Sequence, residues 1–193
     1  MKPSLPAAYD PEIAKRLCFL SDLAYDCFDD EQENPGGSTI IDNFAFIIRQ
    51  EDGKTLIPFQ GSNDIEDFLL DALCFITEPE NEPTFPPVHA GFWKAADRLI
   101  ERLREELSKG EHTEIYLAGH SLGYGIAEIM GVRLREMGYN IAAVYGFGGP
   151  PVGAVKFYNY RGKFAYPTLL VAYRRDGVPF LQPRGVHVAP VIH

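Results

Sequence analysis

Apolar positions along this chain fall into two rhythms, one of period near four and one of period two. Ile13, Leu17, Leu20, Ala24 and Phe28 return at helical spacing, which predicts a leading helix over 11–28. "NFAFIIRQ" and "KTLIPFQG" flank "EDGK", the pattern of two strands joined by a tight turn. "TEPENEPTFPP" is rich in Pro and Glu and reads as a surface loop. Over 91–109, Phe92, Ala95, Ala96, Leu99, Leu103 and Leu107 share one face of a long helix. The rhythm then becomes strand, helix, strand. "EIYLAG" is a buried strand, 121–137 a helix closed by Gly138, and "IAAVYGFG" a further strand. A short helix over 152–160 and the strand "TLLVAYR" follow. Such alternation implies an α/β fold with a mainly parallel sheet covered on both faces. A length of 193 residues fits one domain over 1–193.

Composition narrows the partners. Hydrophobic residues make up 46% and charged residues 23%, as in ordinary globular proteins. Acidic residues outnumber basic ones 27 to 18, for a net charge of −9. That argues against nucleic acid or an anionic membrane surface as the main partner. The acid-rich run "DDEQE" over 29–33 reads as a solvated loop. Cys18, Cys27 and Cys74 cannot all pair, and none sits in a CxxC. Cys18 and Cys74 lie among apolar neighbours and are expected as buried thiols, which makes a reducing, cytoplasmic setting the default. The first residues carry no apolar signal core, although a signal removed from the sequence stays open. No apolar run approaches transmembrane length.

Chemistry concentrates at "LAGHSLGYG". Gly119, Ser121 and Gly123 fit GxSxG, a pattern that average composition alone yields in roughly one chain in twenty of this length. Its setting carries more weight. A buried strand precedes it and an amphipathic helix follows, which is the strand–turn–helix of a nucleophile elbow. Such a turn strains the serine and leaves no room for side chains at the glycines. The helix N-terminus then points free N–H groups at charge developing on a substrate oxygen. The plain alternative is a glycine-rich turn in which Ser121 only caps the helix.

"IYLAGHSLG" resembles the elbow of the class 3 (fungal-type triacylglycerol) lipases of the α/β-hydrolase fold. Further stretches match that family in order. "LIPFQGS" resembles its strand ending in FRGS or FRGT, and "DIEDFLLDAL" its DWLxDL segment. "VHAGFWKA" is similar to VHxGFxxA, "VYGFGGPPVG" to YTFGxPRVG, and "DGVPFLQP" to DxVPxLPP. The similarity runs over about 13–188, and six matches in register are specific where one would be weak.

A serine needs a histidine base and a carboxylate that orients it. Asp176 follows the strand "TLLVAYR", and Ser62 and Ser121 also follow strands, where the functional residues of open α/β sheets gather. Asp-Gly here is also a hairpin signal. Asp176, Val178, Pro179, Leu181 and Pro183 match the family's acid motif, which implies the triad role. Among five histidines, His112 sits in a polar turn and His120 points away from the side Ser121 faces. The resemblance gives His89 a structural role and makes His187, in "GVHVAP", the base. His193 is the alternative, although a terminal residue is poorly held. The order Ser…Asp…His is that of the α/β-hydrolases. Only eleven positions separate Asp176 from His187, against a longer loop in the family. Such a length reaches about 35 Å when extended, so closure is tight.

The resemblance also implies an oxyanion hole from Ser62 and the backbone N–H of Leu122. Gln60 replaces the family's arginine, which would loosen that loop. Ile65, Phe68, Leu69, Ala72, Leu73 and Ile76 fall at helical spacing opposite Asp64, Asp67 and Asp71. This stretch is either a core helix or the family's lid, in which case Phe68 and Leu69 contact substrate. Tyr124 stands where the family has Gly or Ala. It would either fill the acyl site as a substrate-binding residue or pack in the helix–sheet seam, with Gly125 making room.

The expected activity is hydrolysis of acylglycerols or related carboxylic esters through an acyl-enzyme on Ser121, with no cofactor and no metal. The partner is a small-molecule or lipid ester, with transient contact at a lipid interface. Two other readings stay open: a catalytically impaired binding protein of the hydrolase fold, and an acyltransferase using the same triad.

Overall fold

The computed structural model describes residues 8–25, 38–41, 44–61, 76–171 and 191–192, and for 38–41 and 191–192 the backbone alone. Helix α1 (Pro11–Leu23) starts where Asp10 accepts hydrogen bonds from the N–H groups of Glu12 and Ile13 at 2.9 and 3.2 Å, with Pro11 in the first turn. Ala14, Leu17 and Leu20 turn inward. Cys18 and Phe19 turn outward, so the expectation of a buried Cys18 fails. Apolar Leu17, Phe19 and Leu20 surround it in sequence, but at 100° per residue Leu17 and Leu20 share the core face while Cys18 and Phe19 do not. Phe28, Cys27 and Cys74 lie outside the described residues.

Strands β1 (Ser38–Ile41) and β2 (Phe44–Ile47) form an antiparallel pair. The segment expected as one strand is divided at Ile48 into β2 and β3 (Arg49–Glu51). β3 pairs with β4 (Lys54–Phe59) around Asp52 and Gly53, at φ 49° and 75°. Positive φ at both central residues is the hairpin turn whose twist matches the strands it joins. Short strands β5 (Ile76–Thr77) and β6 (Val88–His89) pair with each other, so Ile76 is strand rather than the end of a helix. Between them the Pro-rich loop is pinned by Phe85, whose ring lies 4.7 Å from that of Trp93.

Helix α2 (Ala90–Leu107) is capped by His89, whose Nδ1 accepts from the Gly91 N–H at 3.2 Å. The structural role implied for His89 is this one. Then come β7 (Glu114–His120), α3 (Leu122–Glu136), β8 (Ile141–Phe147), α4 (Val155–Arg161) and β9 (Thr168–Val171). Helix α4 begins later than its apolar pattern suggests, because the Val152 carbonyl accepts the His89 N–H and Gly153 bridges Val88. After it β10 (Val191–Ile192) joins β9 in parallel.

The main sheet runs β1-β2-β4-β7-β8-β9-β10, with β3 also on β4. Its β4-to-β10 half is parallel and its β1–β2–β4 edge antiparallel. Leu17 and Leu20 of α1 pack on one face, with Leu56, Ala118, Tyr145 and Leu169. Helices α2 and α3 cover the other face, where Phe92, Leu99, Ile126 and Ile129 meet Ile57, Leu117 and Val144. The expected α/β architecture with helices on both faces is what forms.

Candidate active site

The elbow at Ser121 is built by close approach. β7 ends beside the carboxyl end of β4, with Gly119 opposite Phe59, and the chain turns at once into α3. A Cβ on Gly119 would lie 2.0 Å from the Gly123 carbonyl carbon, and one on Gly123 would lie 2.2 Å from the Phe59 carbonyl oxygen. Both obstacles are backbone, so neither can yield without the turn opening. Ser121 takes φ 52° and ψ −118°, a conformation that costs a non-glycine residue of order 1–3 kcal/mol. Its N–H donates to the Phe147 carbonyl at 3.1 Å and its carbonyl accepts the Tyr124 N–H at 3.1 Å.

Ser121 occupies the cap position of α3, yet its side chain makes no capping hydrogen bond. The plain alternative of a capping serine therefore lacks the bond that would define it. Leu122 is the first residue of the helix, so its N–H has no acceptor within the helix, the position expected of an oxyanion donor. Gln60, at the end of β4, is buried with its Oε1 unpartnered, and its N–H donates to Ala45 at 2.9 Å.

The other expected site residues, Ser62, Phe68, Leu69, Asp176 and His187, lie outside the described residues, as does His193. The described strands fix where the segments holding them start. Gly61, which precedes Ser62 in the sequence, lies past the end of β4 against the His120 carbonyl. The segment with Asp176 and His187 leaves β9 after Val171 and returns with Val191 level with Leu170. Val171 in turn pairs with Phe147 at the carboxyl end of β8. Both ends of that segment are thus near the edge where Ser121 sits.

Of the two positions open to Tyr124, the ring lies in the helix–sheet seam. The side chain is fully buried. A Cβ on Gly146 would meet Tyr124 Cδ2 at 2.4 Å, and one on Gly149 would meet Cδ1 at 2.0 Å. These two glycines make the room. Gly125 instead accommodates Phe92, whose Cγ would lie 2.5 Å from an added Cβ.

Glu128 is a polar anchor that sequence reasoning missed. The Tyr124 hydroxyl donates to Glu128 Oε1 at 2.9 Å, and Arg161 Nε donates to Oε2 at 3.1 Å. Arg161 lies over the Tyr166 ring at 4.7 Å and donates to the Tyr166 carbonyl at 3.1 Å and to the Thr168 hydroxyl. Burial pushes the Tyr124 phenol well above its ordinary pKa, and the Glu128 charge adds to the shift. Its hydroxyl therefore stays a donor. The signal in the sequence was the spacing of Tyr124 and Glu128, four apart on one helix face.

His120, the last residue of β7, has Nδ1 2.9 Å from the Tyr25 hydroxyl. The Tyr25 contact had no sequence signal. His112 bonds through Nδ1 to the Thr55 hydroxyl at 2.8 Å, and burial lowers its pKa. Among the described residues no group of three His, Cys, Asp or Glu side chains could hold a metal ion. No helix among them is long and apolar enough to cross a membrane.

The chain is 28% identical over 164 residues to the secreted mono- and diacylglycerol lipase A of Penicillium cyclopium, covering 79% of this chain and 52% of that protein. The chain thus spans about half the length of the curated relatives it matches. The crystal structure of a lipase from Rhizopus microsporus var. chinensis superposes with a TM-score of 0.75 at 18% identity, covering 98% of this chain and 77% of that one. A triacylglycerol lipase whose catalytic centre is described as a serine protease triad superposes with a TM-score of 0.74 at 20% identity, covering 95% and 80%. The fold is that of the α/β-hydrolases. The model of the class 3 lipases matches residues 56–185, from β4 and the elbow into the segment holding Asp176, and the chain belongs to the class 3 lipase family.

Proposed function

We propose that this chain is a serine ester hydrolase acting on acylglycerols, with Ser121 as nucleophile. The observation that carries this reading is the conformation of Ser121: a strained, buried serine at positive φ, between strand and helix, without a capping bond. Strain of this kind persists only where the surroundings enforce it, and Gly119 and Gly123 do so here. Ser121 Oγ attacks the ester carbonyl while His187 takes its proton, and Asp176 orients the imidazole. The Leu122 N–H and Ser62 stabilise the tetrahedral oxyanion. Collapse expels the alcohol with the proton from His187, leaving an acyl-Ser121 ester. Water, deprotonated by the same histidine, then releases the fatty acid.

In this reading the stretch between β4 and β5 supplies Phe68 and Leu69 to the acyl chain and meets the lipid interface as a lid. Continuity of the main sheet from β1 to β10 supports one domain over 1–193. Similarity to the secreted lipase of Penicillium cyclopium favours secretion over a cytoplasmic setting.

The test is fatty-acid release from mono-, di- and triacylglycerol emulsions, with an added alcohol acceptor. Free acid as the dominant product supports the hydrolase. New ester as the dominant product makes the chain an acyltransferase, and no turnover by folded protein makes it a binding protein. Within the same assay His187→Ala is expected to lower kcat by about three or more orders of magnitude with folding retained. That loss on His193→Ala, with His187→Ala active, would move the base to His193.

A further inference from the structure

Two backbone segments have to stay in register for this chemistry: the end of β4, leading into Ser62, and the end of β7, leading into Ser121. Ladder pairing between these strands stops at Phe59 opposite Gly119. One step further on, a side chain from outside the sheet sits between them. Tyr25 lies just past the end of α1, and its hydroxyl is 2.9 Å from His120 Nδ1. The same hydroxyl hydrogen-bonds to the backbone of Gly61. The approach is so close that a Cβ on Gly61 would lie 1.9 Å from the Tyr25 oxygen and 2.7 Å from the His120 carbonyl oxygen.

The donors and acceptors fix a direction. The Gly61 N–H can only donate, so the Tyr25 oxygen accepts it. The single phenolic proton is then left for His120 Nδ1. Burial, reinforced by Asp22, pushes the Tyr25 phenol up to about 12, so it remains a neutral hydroxyl. Gly61 and His120 immediately precede Ser62 and Ser121. The tyrosine therefore links the chain before the oxyanion donor to the chain before the nucleophile.

We propose that Tyr25 is a positioning residue for ester hydrolysis, its hydroxyl tying the Gly61 backbone to the His120 imidazole and so holding the ends of β4 and β7 at the spacing the tetrahedral intermediate needs. This rests on the hydrolase reading above. Tyr25 acts through Gly61 and His120. Its removal lets the two segments separate, and a misplacement on the order of 1 Å costs roughly 100-fold in rate.

The experiment compares Tyr25→Phe, His120→Phe, the double variant and His120→Asn, whose Oδ1 offers an acceptor in place of Nδ1. Each is measured by kcat and KM on a short nitrophenyl ester and by a melting curve. Tyr25→Phe and His120→Phe are each expected to lower kcat about 10- to 100-fold, with KM within about twofold. The double variant should be no worse than either single one, because both break the same link. His120→Asn should restore most of the rate. A Tyr25→Phe enzyme with wild-type kcat, losses that multiply in the double variant, or a rate loss that follows the fall in melting temperature would each overturn the proposal. Wild-type protein that is inert and unlabelled at Ser121 overturns the hydrolase reading with it. Active wild type beside an equally active Tyr25→Phe overturns the positioning role alone.

Discussion

Tyr124→Phe separates packing from substrate binding at the residue that departs most visibly from the family pattern. The substitution keeps the ring between Gly146 and Gly149 and deletes only the hydroxyl that donates to Glu128 Oε1 at 2.9 Å. Glu128 is 1% exposed, so no water replaces the lost donor, and Arg161 at 3.1 Å remains as its charge partner. A hydrogen bond to a buried charged group contributes about 1.5–3 kcal/mol. For a chain of this size that corresponds to a fall in Tm of about 3–12 °C. Because the ring is in the seam, acyl preference should not change. The assay is a melting curve together with kcat/KM across a chain-length series of nitrophenyl esters. Tyr124→Ala should cost more, about 3–5 kcal/mol, because it also empties the seam. An unchanged Tm in Tyr124→Phe, or an optimum shifted towards longer acyl chains in either variant, would refute the seam assignment.

Gly123→Ala should abolish ester hydrolysis and lower Tm, since its Cβ would lie 2.2 Å from the Phe59 carbonyl oxygen, a backbone atom; wild-type activity would show that the turn is looser than described. Stability should also fall at alkaline pH. Burial raises the phenols of Tyr124, Tyr158 and Tyr166, and lifts Tyr25 to about 12, above the ordinary value of 10.0. Below pH 10 both folded and unfolded chains hold these protons. Above it the unfolded chain releases them first, so stability is lost as pH rises towards the folded values. Urea midpoints should hold to about pH 9 and drop from about pH 10 upward. Phenolate absorbance from all ten tyrosines near pH 10 in still-folded protein would contradict this.

What the sequence made legible was local. Helical spacing placed the inward faces of α1 and α2, and Asp-Gly marked the turn between β3 and β4. The order strand, Gly119, Ser121, Gly123, helix announced the elbow because each glycine answers to a neighbour only a few residues away or on the adjoining strand. The gaps came from contacts between distant segments. Sequence left Tyr124 open to two sites, because the room for its ring is made by Gly146 on β8 and Gly149 beyond it. The Tyr25 link joins α1 to the ends of β4 and β7, and no periodicity encodes such a meeting. Cys18 was misjudged from its neighbours in sequence, when helix phase alone sets which way it turns.

The central claim is that Ser121 is a nucleophile, and intact mass after fluorophosphonate treatment tests it most directly. The phosphonate bonds to an activated serine oxygen with loss of fluoride, so it reads the nucleophile without a choice of substrate. The account predicts one adduct per chain, mapped to Ser121 by peptide analysis and absent from folded Ser121→Ala. No adduct on folded wild-type protein, or an adduct that survives Ser121→Ala, would contradict it.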